Sequence, residues 1–184
     1  MTVSPPTPLA PAKLRRLAWI VRALIVVGAA GLVAATAWTW ASPELALAQL
    51  QSETRLSHLP ALAADTQRAA AAWSVVPLAL TLLALQRLWG LFAEYAQGRV
   101  FSLRALLCLR GFARCVLGLG VLSPVYGVVL SIIATWHNTP GTRQVGLNFT
   151  SDDYGMLLFG AVLLAISSAM AEAARVAEDN AGFV

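Results

Sequence analysis

"FAEYAQGRVFSLRALLCLR", Phe92 to Arg110, is the stretch on which the architecture turns. Gly98 suits the left-handed residue that ends a helix, and Ser102 suits the N-cap of the next one. Between them Arg99-Val100-Phe101 forms the tip of a helical hairpin. No breaker stands between Pro77 and Gly98, so the incoming helix should outrun a bilayer by roughly ten residues. The outgoing helix runs through Arg104, Arg110 and Arg114 directly into another apolar block. Glu94 is the hairpin's single acid, set against Arg99, Arg104, Arg110 and Arg114.

On both sides of the hairpin the chain is strongly apolar. Of its 184 residues 58% are hydrophobic and only 12% charged, with a mean hydropathy of +0.69. A soluble domain carries about a quarter charged residues. The missing charge identifies an integral membrane protein, because a water-facing surface needs it. Crossing ~30 Å of hydrocarbon takes roughly 20 apolar residues at ~1.5 Å each, and four blocks suffice.

An all-α protein with four transmembrane helices is therefore expected, with spans at 18–41, 69–88, 116–136 and 154–171. The remainder comprises a tail at 1–17, a loop at 42–68, the hairpin at 89–115, a loop at 137–153 and a tail at 172–184. The apolar run after the Pro-rich start is too long for a cleaved leader's core and reads as a retained anchor. Within 42–68, Ser42-Pro43-Glu44 offers an N-cap, a first-turn proline and a first-turn acid. A short helix from Pro43 to about Arg55 is expected there, broken at Leu59-Pro60. Asp65 can start the second long helix.

Lys13, Arg15, Arg16, Arg22, Arg87, Arg99, Arg104, Arg110, Arg114 and Arg175 are ten of the thirteen basic residues, and all cluster around the termini and the hairpin. Only Arg55, Arg68 and Arg143 fall in the other loops. By the positive-inside rule both termini and the hairpin are cytoplasmic. Trp38, Trp40, Trp73, Trp89, Trp136 and Tyr154 lie near span ends, where amphipathic rings settle at headgroup depth. Arg22 is placed to snorkel toward the headgroups.

The net charge of +4 does not point to nucleic acid, because the basic residues hug the membrane and no recognition fold accompanies them. His58 and His137 sit in loops, so haem ligation between spans is not expected. Asp152-Asp153 is explained by helix capping and the macrodipole rather than by a metal. Thr150 with Asp153 resembles a capping box, preceded by a Pro140-Gly141 turn and a strand-like alternation from Gln144 to Phe149. Cys108 and Cys115 lie ~10 Å apart on one helix, beyond the ~7 Å reach of a disulfide. No span carries an ionisable residue at its middle, which argues against ion-coupled transport. No nucleophile–base or acid–base pair emerges, so no enzymatic activity, catalytic residue or cofactor is expected.

Gly120, Ser123, Gly127, Ser131 and Ala134 form a small-residue stripe in the third span. It suits close packing within the bundle, with self-association or a hinge at Pro124 as the alternative use.

Two stretches carry a resemblance. "LFAEYAQGRVFSLRALLCLRGFA" (91–113) and "GLNFTSDDYGMLLFGAVLLAISSAMAEAARVAEDN" (146–180) resemble bacterial membrane proteins of domain-of-unknown-function family 2975. The resemblance implies four spans and the bacterial inner membrane, and carries no catalytic residue with it. The Asn148-Phe149-Thr150 sequon is then a chance match. Some members are thought to be encoded beside a helix-turn-helix regulator, which implies a cytoplasmic regulatory partner. The expected function is thus regulation or interaction, contacting that partner through Gly98, Arg99, Val100, Phe101, Ser102 and Arg104 together with the C-terminal tail. The alternative is a small permease or channel subunit, possibly homo-oligomeric, with a wet path through Ser123 and Ser131.

Overall fold

The computed structural model describes residues 12–54, 63–136, 146 and 149–181. Their helices are α1 (Ala12–Ala41), α2 (Pro43–Thr54), α3 (Ala64–Ala96), α4 (Leu103–Thr135) and α5 (Ser151–Ala181), and there is no strand among the described residues. Four are long and apolar enough to cross a membrane: α1, α3, α4 and the Ser151–Ala173 part of α5. The break at Leu59-Pro60, both histidines, Arg55, Arg143, the Pro140-Gly141 turn and most of the strand-like segment lie outside the described residues.

The helices outrun the apolar blocks. α1 begins at Ala12, because Ala-Lys-Leu-Arg-Arg are all good helix formers. α5 continues to Ala181 through another alanine-rich segment. α3 and α4, with 33 residues each, reach ~50 Å, well beyond the ~30 Å hydrocarbon layer. Pro77 and Pro124 sit inside them without ending either helix. Asp65 falls in the first turn of α3, whose N-cap position is Ala63 and lacks a side-chain cap.

The long helices pack in the order α1–α3–α4–α5, with the closest associations between α3 and α4 and between α4 and α5. No extended packing joins α1 to α5, so a cleft separates them with α3 and α4 as its floor. α2 lies across one end, against α1 and α4.

Two apolar clusters mark the ends of the bundle. At the α2 end, Leu50, Ala70 and Leu130 are fully buried among Trp40, Trp73, Tyr126, Ile133 and Ala134. At the hairpin end, Leu91, Ala105 and Leu109 pack with Leu88, Tyr95, Cys108, Leu163 and Met170. Three of the expected belt residues are used inside the bundle instead, Trp40 by packing on the α2-end cluster. Trp73 stacks on Tyr126, with centroids 6.4 Å apart. Trp89 lies under Arg22, whose guanidinium carbon is 3.9 Å from the ring centroid, so this arginine ties α1 to α3 by a cation–π contact. Trp38, Trp136 and Tyr154 remain exposed, as a membrane-facing belt requires.

Candidate functional site

Between the two clusters, toward the α2 end, lies a cavity of about 780 Å³. All five helices contribute to it. α1 supplies Thr36 and Trp40, α2 supplies Gln49 and Glu53, and α3 supplies Ser74 and Thr81. α4 adds Ser123 and Tyr126, while Asp152 and Asp153 come from the first turn of α5. Leu32, Leu78, Leu119, Leu122 and Met156 make its remaining walls apolar.

Three of the lining hydroxyls donate back along their own helix. Thr36 donates to the Leu32 carbonyl at 2.8 Å and Thr81 to the Pro77 carbonyl at 2.8 Å. Ser74 donates to the Ala70 carbonyl at 2.9 Å. A serine has one proton to give, so the 2.7 Å contact between Ser74 Oγ and Tyr126 Oη is a bond that Tyr126 donates. On the α5 side, Thr150 donates to Asp153 Oδ2 at 2.8 Å and Ser123 is turned to the same carboxylate. These protons are spent on the protein itself. What these particular hydroxyls turn to the cavity is lone pairs.

Glu53 and Asp153 sharpen that bias. Asp153 is buried and holds the start of α5. The Thr150 amide donates to its Oδ2 at 2.6 Å, and the Asp153 amide donates back to Thr150 Oγ1 at 3.3 Å, a capping box in geometry. Glu53 accepts from Gln49 Nε2 at 2.9 Å. Burial, then the charge of Asp153, raise its pKa above the ordinary 4.5, against a smaller lowering by Gln49. None of the described residues lining the cavity is Lys or Arg.

A raised carboxylate pKa has a definite sign in the stability. Above pH 4.5 the folded state keeps a proton on Glu53 that the unfolded chain has lost. Stability therefore falls as pH rises through that window. Glu53→Gln is expected to raise the melting temperature at neutral pH and flatten its fall as pH rises above 4.5, as measured by thermal denaturation in detergent.

At the opposite end the hairpin is locked by Glu94. Gly98 has φ 78°; its amide donates to the Tyr95 carbonyl, and the Arg99 amide donates to the Glu94 carbonyl at 3.1 Å. This is a Schellman closure. The buried Glu94 carboxylate receives Arg99 Nε at 2.9 Å, Arg99 Nη2 at 3.2 Å and Ser102 Oγ at 3.1 Å. Ser102 Oγ in turn accepts from the Ala105 amide at 3.1 Å, capping α4. Arg104 Nε lies 3.8 Å away from the same carboxylate. Arg99, Ser102 and Arg104 thus fix the turn, while Phe101 is 67% exposed and Leu103 73%. Val100 sits in the turn just before Phe101. Gly98→Ala, which puts a Cβ on a left-handed residue, should cost about 1 kcal/mol in thermal unfolding.

The small-residue stripe divides among several neighbours. A Cβ on Gly120 would meet Leu157 at 3.0 Å, and one on Gly127 would meet the Glu53 carbonyl at 3.6 Å. Ser131 is fully buried and accepts from the Gly146 amide at 3.1 Å. Ser123 alone of the two serines lines the cavity. Cys108 and Cys115 are free thiols. Among the described residues no group of histidine, cysteine and carboxylate side chains is arranged to hold a metal.

Sequence reading did not single out Glu53, Ser74, Thr81 or Tyr126. A signal was available in the polar residues that interrupt the apolar helices at helical spacing: Thr36 with Thr39, Ser74 with Thr81, Ser123 with Tyr126. Each pair lies on one face of its helix.

Residues 39–182 match the model of a family described as "Protein of unknown function (DUF2975)". No curated protein and no solved structure gives a match.

Proposed function

Because the chain belongs to the DUF2975 family of unknown function, its activity has to be argued from its own residues, and we propose a multi-pass membrane regulatory protein. In this reading it lies in the bacterial inner membrane with the hairpin and termini in the cytoplasm. A small ligand enters the cavity, and the hairpin tip contacts a soluble regulatory partner. The observation that carries this reading is the continuity of α3 and α4. Each runs unbroken from cavity wall to hairpin tip, Ser74 to Glu94 on one and Tyr126 to Leu103 on the other. A change of packing at the cavity is then felt at Phe101 and Leu103, two apolar side chains left in the open on a turn that Glu94 holds rigid.

The permease alternative draws on the same cavity. Its lining reaches Thr81 and Leu119 and includes no residue of the hairpin-end cluster, so transport would require the lower half to open. The regulatory reading needs no such step.

A photocrosslinking residue at Val100 tests the contact in cells. Recovery of a soluble partner is expected, falling about tenfold when Phe101→Ala and Leu103→Ala are combined, as loss of two exposed apolar anchors implies. Undiminished recovery from that variant would remove the hairpin from the function.

A further inference from the structure

From the chemistry of the cavity we infer that its ligand is an amphiphilic organic cation, with an ammonium head and an apolar body. This names the ligand class for the input site of the proposed function and rests on that reading.

Four observations converge on this class. Glu53, Asp152 and Asp153 bring carboxylates to the lining, and no cation stands among its described residues. Thr36, Thr81, Ser74 and Tyr126 have spent their hydroxyl protons within the protein, so they offer acceptors to a donor-rich guest. Trp40 and Tyr126 add aromatic rings, which attract cations over their faces. The lower walls, Leu32, Leu78, Leu119, Leu122 and Met156, are apolar and adjoin the cleft that α1 and α5 leave between them. An anion would meet carboxylates and lone pairs there. A fully polar cation would waste the apolar walls, whereas an alkylammonium satisfies both halves.

Burial of Glu53 and repulsion from Asp153 fit the same picture, since an entering cation relieves the repulsion and favours the ionised pair. In the membrane setting of the proposed function the bilayer borders α1 and α5, so the ammonium can come from a free amphiphile or from a lipid's own ethanolamine head. The chemistry is shared and the experiment separates the sources.

The full chain in phosphatidylcholine nanodiscs is titrated with decylammonium, decanol and decanoate, and saturable binding is followed by calorimetry. Decylammonium should bind at least about tenfold more tightly than either control, and Glu53→Gln should weaken it by a similar factor, as loss of one charged partner implies. Equal binding of the three head groups, or an unchanged Glu53→Gln titration, would overturn the assignment. In discs containing phosphatidylethanolamine, competition with decylammonium identifies the lipid head as the occupant, and its absence identifies a free amphiphile. Failure of these titrations removes the ligand class but leaves crosslinking at Val100 intact. Failure of the crosslinking removes the relay but leaves binding intact.

Discussion

Truncation of Leu50 to alanine is expected to cost about 3 kcal/mol of stability and to release α2 from the bundle. α2 has 12 residues, too few to persist as an isolated helix in water. Ala46, Leu50 and Thr54, spaced four apart, are its buried residues, so it is held by one narrow face. Leu50 is the largest of them, 0% exposed against Ala70 and Leu130. Its neighbours Trp40, Trp73 and Tyr126 are large rings that cannot collapse far into the space a missing isobutyl group leaves. Glu53 lies one turn from Leu50, so loss of the dock also removes a carboxylate from the cavity. Leu45→Ala serves as the matched control, since Leu45 is 42% exposed on the same helix. Thermal unfolding in detergent reads the stability. A cysteine at Thr54, which is buried in the docked helix, tested with a water-soluble thiol reagent, reads the release of α2. Equal melting temperatures for the two variants would mean that Leu50 does not anchor the helix.

The contrast between hairpin and cavity explains how far the sequence could be read. Everything that makes the hairpin is local: Gly98 for the left-handed turn, Ser102 for the cap, and Glu94 eight residues before it. Short-range chemistry decides such a turn, so its residues announce it. The four spans are legible for a similar reason, since a membrane-crossing helix needs only sufficient length without charge.

The cavity is different because five helices make it, and the docking of α2 is what brings Glu53 to Asp153. Nothing near Glu53 in sequence signals Asp153. The stripe on α4 divides by geometry that composition does not carry. Ser123 and Ser131 are eight residues apart, which turns them about 80° relative to each other on a 3.6-residue helix. One therefore faces the cavity while the other is sealed against the Gly146 amide. A path through both does not follow from their shared composition.

Leucine in place of Gly160 is expected to cost about 2–3 kcal/mol through overpacking, by forcing α5 away from α4. The two helices interlock reciprocally: Leu157 of α5 lies over Gly120, and Leu117 of α4 lies over Gly160. A Cβ at 160 would stand 2.7 Å from Leu117 Cγ and 3.0 Å from its backbone nitrogen. The side chain can turn away from such a clash, but the backbone cannot. Even Gly160→Ala should therefore destabilise, although glycine to alanine in a helix normally gains about 1 kcal/mol. Gly155 lies on the same helix with nothing within 4 Å of its added Cβ, so Gly155→Ala should show that gain and provides the internal reference. Inside a bilayer the helices have little hydrophobic reason to associate, and close packing at small residues supplies much of what holds them together. Separation of α5 would also draw Asp153 away from Ser123, widening the cavity. The expected order of melting temperatures is Gly155→Ala, wild type, Gly160→Ala, then Gly160→Leu. Decylammonium binding should be lost from Gly160→Leu and kept by Gly155→Ala. A Gly160→Leu protein as stable as the wild type would show that α4 and α5 do not meet at this glycine.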